Sequence, residues 1–146
     1  MKILGIDSTQ CLFGGHWQAS LSGETIALSN PSDGSEHCQI ARGGPEDIEA
    51  AVAAAAAALT GDWGRATAAE RGRLLAKLGQ LVLANVDELA RLEALDVGKP
   101  LTQARADAVA LARYMEFCAG AAEKLHGQTI PYLDGYTVYR CANRMA

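Results

Sequence analysis

The ten residues from Ala50 to Leu59 are alanine at every position except Val52 and Leu59. Alanine loses no side-chain entropy in a helix and removes little area from water when buried, so such a run makes helix readily and core poorly. It is also far shorter than the roughly 20 apolar residues of a bilayer span. The bias is general: 28 of 146 residues are alanine, so the 49% hydrophobic content falls to about 30% without it, with only 5% aromatic. A helical chain with a thin core of its own, reliant on neighbours for packing, is expected.

Charge and cysteine usage narrow the class. A net charge of -4 and a pI near 5.3 argue against a nucleic-acid or acidic-membrane partner. The opening Met1-Lys2-Ile3-Leu4-Gly5-Ile6-Asp7 leaves no room for a signal-peptide apolar core before its acidic residue, so a cytoplasmic location is expected. Cys11, Cys38, Cys118 and Cys141 match no zinc or CxxC spacing and read as independent reduced thiols.

Residues 11–40 read as β-rich. Two short strands, Leu12-Phe13 to Trp17 and Thr25 to Leu28, are expected to meet as a hairpin at Ser22-Gly23. Asn30-Pro31-Ser32-Asp33-Gly34 is dense turn sequence that ends the hairpin, and Cys38 to Ala41 reads as a third short strand.

Helix signals follow. Pro45 suits a first helical turn, with Glu46, Asp47 and Glu49 complementing the positive helix end, and the helix runs to Leu59 before Thr60-Gly61-Asp62. Thr67 with Glu70 fits a capping box for a second helix, whose Leu74, Leu75, Leu78, Leu81, Val82 and Val86 recur at three to four residues. Asn85 with Glu88 is a second possible box, predicting a kink near Asn85. Gly98-Lys99-Pro100 is a stop. Thr102 is expected to cap the next helix, with an apolar face through Leu111, Tyr114 or Met115, Cys118, Ala121, Ala122 and Leu125, ending at Gly127. Gly135 to Arg140 alternates like a strand.

Chemistry is sparse. Gly14-Gly15 lacks the rest of a phosphate-loop signature and reads as a turn. His16, His37 and His126 are too scattered for a zinc site. Cys118 falls on the apolar stripe and reads as a small buried hydrophobe, and Asp96 with Lys99 as charges that solvate a helix end. No combination of nucleophile, base and oxyanion donor can be assembled from these residues alone.

Several motifs in order carry a resemblance. They are Phe13-Gly14-Gly15-His16-Trp17 (IGGxW), Asn30-Pro31-Ser32-Asp33-Gly34 (NPATG), and Trp63-Gly64-Arg65 through Arg71-Gly72-Arg73-Leu74-Leu75. Asp87-Glu88-Leu89-Ala90-Arg91-Leu92-Glu93-Ala94-Leu95-Asp96-Val97-Gly98-Lys99-Pro100 follows (ELAxLExLDxGKP), then Tyr114 to Gly127 and Thr129-Ile130-Pro131 (YYAGxAxKLxGxTIP). Over about residues 12–140 the chain resembles the N-terminal region of the NAD(P)-dependent aldehyde dehydrogenase superfamily. The resemblance implies an α/β parent fold with a Rossmann-type coenzyme domain. This chain would be mainly α-helical, with an N-terminal β-hairpin and a C-terminal strand that begins an oligomerisation arm. Residues 1–11 would be an N-terminal extension and residues 141–146 a non-family tail. The family's nucleophilic Cys, general-base Glu and coenzyme motifs lie beyond these positions, so no catalytic or coenzyme-binding residue is assigned, and NAD(P) is expected only in the intact parent. The resemblance also implies a structural monovalent cation on the carbonyls of Leu28 and Ser29 and on Asp96.

Family members continue REPHGV after the strand that matches Tyr136 to Arg140, where this chain reads Cys141-Ala142-Asn143-Arg144-Met145-Ala146. If that tail is encoded TGC GCG AAC CGC ATG GCG TGA, reading two bases later gives Arg, Glu, Pro, His, Gly and Val. A frameshifted, truncated parent is therefore expected, and the nucleotide sequence tests it. Two readings of function follow: an inactive N-terminal fragment of an aldehyde-oxidising enzyme, or a non-catalytic helical module that joins full-length relatives, as homo- or hetero-oligomer, through the hairpin and terminal strand. A third is an unrelated enzyme using Cys118.

Overall fold

The computed structural model describes Lys2, Ile3 and residues 6–141. The expected tail therefore lies outside the described residues except for Cys141, as do Met1, Leu4 and Gly5 of the expected extension. Among the described residues, eight short strands and five helices follow in the order β1 (Lys2–Ile3), β2 (Ile6–Asp7), β3 (Cys11–Phe13), β4 (His16–Gln18), β5 (Thr25–Ser29), β6 (Glu36–Ala41), α1 (Pro45–Thr60), α2 (Asp62–Arg65), α3 (Ala68–Ala84), α4 (Val86–Val97), α5 (Leu101–Ala121), β7 (Gln128–Ile130) and β8 (Val138–Arg140). The strands form four separate antiparallel pairs, each between sequence neighbours.

The hairpin expected at Ser22-Gly23 is not there. Strand β3 pairs with β4 across Gly14-Gly15, and β5 pairs with β6 across the Asn30 to Ser35 turn. Gly14 and Gly15 both have positive φ, at 62° and 80°, which is the two-residue turn that matches strand twist. In the longer turn Asn30 Oδ1 accepts from the Ser32 N–H and Asp33 Oδ1 from the Ser35 N–H, both at 2.9 Å. The segment read as the end of a hairpin is thus the loop of one. Residues 20–23 do turn, but the Leu21 N–H donates to Asp47 Oδ1 (3.1 Å), so this turn anchors α1 instead of closing a ladder.

Asp47 is buried, and its other oxygen accepts the Gly44 N–H at 2.9 Å, capping α1. The short helix α2, unanticipated in sequence, is tied by Arg65 to Asp62 (2.6 Å) and to the Thr60 carbonyl. The Thr67–Glu70 capping box forms as expected, with the Glu70 N–H donating to Thr67 Oγ1 (3.2 Å) and the Thr67 N–H donating to Glu70 (2.7 Å). The helix breaks at Asn85, but not through the expected box. The Asn85 side chain instead donates back to the Leu81 carbonyl (2.8 Å) and closes α3. Gly98 ends α4 in the left-handed region (φ 69°), as a C-cap glycine should. Thr102 does not cap α5, because Pro100 holds the N-cap position and the helix already includes Leu101. The last strand is shorter than expected, since Gly135 has φ 85° and only Val138 to Arg140 pair, with β7.

Antiparallel α3 and α5 form the most extensive contact between elements. An added Cβ on Gly72 would lie 2.8 Å from the Ala119 carbonyl oxygen, and one on Gly79 would lie 3.1 Å from that of Ala112. Glycine therefore sets how closely the backbones meet. The buried residues of α5 are Ala104, Ala108 and Ala112, which face α3 and α4 together with Val82, Val86 and Ala90. This corrects part of the expected α5 face: Leu111, Tyr114 and Cys118 are exposed, Met115, Ala121 and Ala122 are half-buried, and Leu125 lies past the helix, which ends at Ala121 instead of Gly127. Small residues win the interior because only they fit a backbone approach this close. No large side chain among the described residues is fully buried.

Candidate functional site

The loop Gly98-Lys99-Pro100 joins three parts of the molecule. The left-handed turn at Gly98 brings the end of α4 against the Asn30 to Gly34 turn, so that an added Cβ on Gly98 would lie 3.0 Å from Pro31 Cγ. Lys99, half-buried, donates to Asp107 Oδ2 of α5 at 2.7 Å and to Glu93 of α4. Its pKa is raised, first by the hydrogen bond to Asp107 and then by that to Glu93. Lys99 is thus a clamp across the α4–α5 corner, where the sequence reading made it a solvated charge. Asp107 was invisible in that reading, because it stands eight residues on, past a proline, and reaches Lys99 only after the corner is built.

Beside the clamp, a cavity of about 590 Å³ opens between the β5–β6 hairpin and helices α4 and α5. Leu28, Ile40, Leu89 and Leu111 supply apolar wall, and Glu93, Asp96 and Asp107 supply carboxylates. His37 and Cys38 also line it, and the buried His37 Nδ1 has no hydrogen-bond partner among the described residues. Of the residues of the cation expectation, Leu28 and Asp96 both line this cavity. Ser29, at the register shift that ends β5, is not among the lining residues.

The remaining candidates stay apart. Cys38 is buried, whereas Cys118 is exposed, contrary to its reading as a core residue. Its helical position points past the glycine–alanine seam that fills the interior. Gly14-Gly15 is the hairpin turn already described. No group of three or more His, Cys, Asp or Glu side chains among the described residues is placed to hold a metal ion. The geometry supplies a rigid corner and an open apolar layer.

Comparison with known proteins decides what the layer belongs to. The model of the "Aldehyde dehydrogenase family" matches residues 17–143. The chain belongs to the aldehyde dehydrogenase family. Its similarity to Gallus gallus aldehyde dehydrogenase 1A1 is 39% identity over 138 residues, 92% of this chain and 27% of that protein. A solved Burkholderia cenocepacia protein described as an aldehyde dehydrogenase is 57% identical, with a TM-score of 0.82 over 87% of this chain and 27% of its own. Betaine aldehyde dehydrogenase from Staphylococcus aureus, solved with NAD⁺, is 30% identical, with a TM-score of 0.80 over 89% of this chain and 26% of its own. The chain therefore spans about a quarter of the length of these aldehyde dehydrogenase relatives. Among the described residues no helix is long and apolar enough to cross a membrane.

Proposed function

We propose that this chain forms the N-terminal helical layer of an enzyme that oxidises an aldehyde to a carboxylic acid with NAD(P)⁺, and that the 146-residue chain by itself is inactive. The close structural match to the Burkholderia cenocepacia relative, at 57% identity, carries the reading. In the assembled enzyme a cysteine would attack the aldehyde and the coenzyme would accept the hydride; this chain would contribute shape and support, with the Lys99 clamp fixing the α4–α5 corner. The coenzyme would be held outside these residues, and the cytoplasmic setting expected from the sequence belongs to the same proposal. The chain alone, assayed with aldehydes and NAD⁺ or NADP⁺, should give no coenzyme reduction. The same residues spliced into the relative in place of its matched segment should support it.

The cation reading belongs to that assembled state. The Leu28 and Ser29 carbonyls and the Asp96 carboxylate offer at most four oxygens, fewer than the roughly six or more that a hard cation collects. The residues present do not complete a site. Calorimetric titration of the chain with Na⁺ or K⁺ should show no binding heat.

A second reading rests on the β7–β8 pair, whose Gln128, Thr129, Ile130, Tyr139 and Arg140 are all exposed. Here the chain is a non-catalytic module that joins full-length relatives through its hairpins and terminal strand. Size-exclusion chromatography of the chain mixed with an intact relative would detect the joint species, and separate elution would remove the reading.

A further inference from the structure

Two Asp-Gly pairs occur in the sequence, Asp33-Gly34 and Asp134-Gly135. In both, the aspartate and the glycine are exposed and the glycine has positive φ, at 74° and 85°. Hydrogen bonding separates them. Within the β5–β6 turn, Asp33 Oδ1 accepts from the Ser35 hydroxyl at 2.7 Å and from the Ser35 N–H at 2.9 Å. The Gly34 N–H donates to the Asn30 carbonyl, and the Asn30 N–H to the Ser35 carbonyl, both at 2.8 Å. The Ser35 hydroxyl, and after it the Ser35 N–H, hold the Asp33 pKa below its ordinary value. Asp134 and Gly135 form the middle of a β-turn between β7 and β8, closed by donation from the Tyr136 N–H to the Leu133 carbonyl at 3.1 Å. Among the described residues, no hydrogen bond or ion pair holds the Asp134 carboxylate or the Gly135 N–H.

We propose that Asp134 is a site of spontaneous isomerisation to isoaspartate, and that Asp33, in the same dipeptide, is protected by its turn. In the reaction the Gly135 nitrogen attacks Cγ of the protonated Asp134 carboxyl. A C–N bond forms, the C–OH bond breaks, and the hydroxyl leaves with the amide proton as water, closing a cyclic imide. Water then adds at the former backbone carbonyl, breaks its bond to nitrogen and leaves the chain running through Cγ, with the old backbone carbonyl now a free carboxylate. One water departs and one returns, so no oxidant or coenzyme takes part. Glycine suits the step because no side chain shields its nitrogen and its peptide rotates readily. At Asp33 both reacting groups are engaged: the nitrogen must leave the Asn30 carbonyl, and the carboxylate must leave Ser35 and take up a proton. Each of these bonds adds to the barrier. At Asp134 only the turn bond resists. The product adds one carbon to the main chain within the turn that sets Ile130 opposite Val138, so the β7–β8 pair loosens from that end. The step uses residues of this chain alone and is independent of the proposed activity.

The test incubates the 146-residue chain at neutral pH in water enriched in oxygen-18 and maps its peptides by mass spectrometry. Hydrolysis of the imide places a heavy oxygen in the peptide bearing Asp134, whichever carbonyl water attacks, and fragment ions report isoaspartate. Label at Asp134 should accumulate roughly tenfold faster than at Asp33, the order of factor set by the extra hydrogen bonds that Asp33 and Gly34 must break. In denaturant, where both turns are lost, the two rates should converge. Asp134→Glu, whose longer side chain closes the ring far less readily, should lose the label while keeping the circular dichroism of the native chain. No label at Asp134, or native rates that are equal or faster at Asp33, overturns the proposal. So does a contrast that persists unchanged in denaturant, which would make it a property of the flanking sequence, and so does label that survives in the Asp134→Glu peptide.

Discussion

Asp47 shows how much one carboxylate can organise. It caps α1 through Gly44 and, 26 residues away in sequence, holds the Leu21 turn. Asp47→Ala leaves two backbone donors without their partner, and should cost about 2–3 kcal/mol in chemical denaturation. Asp47→Asn, which keeps one acceptor oxygen, should cost less. The capping half of this role was legible, since acidic residues after Pro45 suit a helix start; the reach to Leu21 was not, because turn 20–23 read as the bend of a hairpin. The Thr67–Glu70 box, by contrast, is wholly local and was read correctly. Donation from the Thr67 N–H, then from its hydroxyl, lowers the Glu70 pKa below 4.5. A folded pKa below the unfolded one gives stability that is present above pH 4.5 and lost as pH falls through the lowered value. Thr67→Ala should therefore lower stability at neutral pH and flatten part of the acid limb of a stability–pH curve. Cysteine exposure supplies a third check. Brief alkylation of the native chain followed by peptide mapping should label Cys118 and leave Cys38 unmodified until unfolding.

Among elements, the α3–α5 contact carries the structure, and two glycines in it behave unlike a third on the surface. Gly72→Ala would bring a Cβ to 2.8 Å from the Ala119 carbonyl oxygen. The overpacking should cost about 1–3 kcal/mol, outweighing the ~1 kcal/mol that alanine gains in helix propensity. Gly120, also helical, has nothing within 4 Å of an added Cβ. Gly120→Ala should accordingly stabilise by up to about 1 kcal/mol, and thermal melts of the two variants should move in opposite directions. Helix existence and most boundaries were legible from caps, proline and glycine. The buried face of α5 was not, because hydrophobicity ranks Leu111 and Tyr114 above alanine, whereas the backbone spacing set by Gly72 and Gly79 admits only alanine. Hairpin pairing failed for a related reason: a two-residue glycine turn and a long Asn-Pro turn each close a ladder, and the sequence alone offered Ser22-Gly23 as an equal competitor.

At the scale of the whole molecule, alanine-rich helices, the lack of a large buried side chain among the described residues and the many exposed large hydrophobic residues share one origin under the proposed function, a layer that packs within a larger enzyme. The family was legible because its motifs sit at structural corners, such as Asn30-Pro31 against Gly98, where few residues fit; the substrate was not, since those motifs are turns and helix ends that carry shape and no substrate chemistry. The most direct measurement is aldehyde-dependent NAD(P)⁺ reduction by the Burkholderia cenocepacia relative carrying residues 17–141 of this chain in place of its matched segment. The account predicts a soluble enzyme that oxidises aldehydes, while the 146-residue chain alone does not. A soluble splice that binds coenzyme yet leaves aldehyde unoxidised, or an isolated chain that oxidises it unaided, would contradict the account.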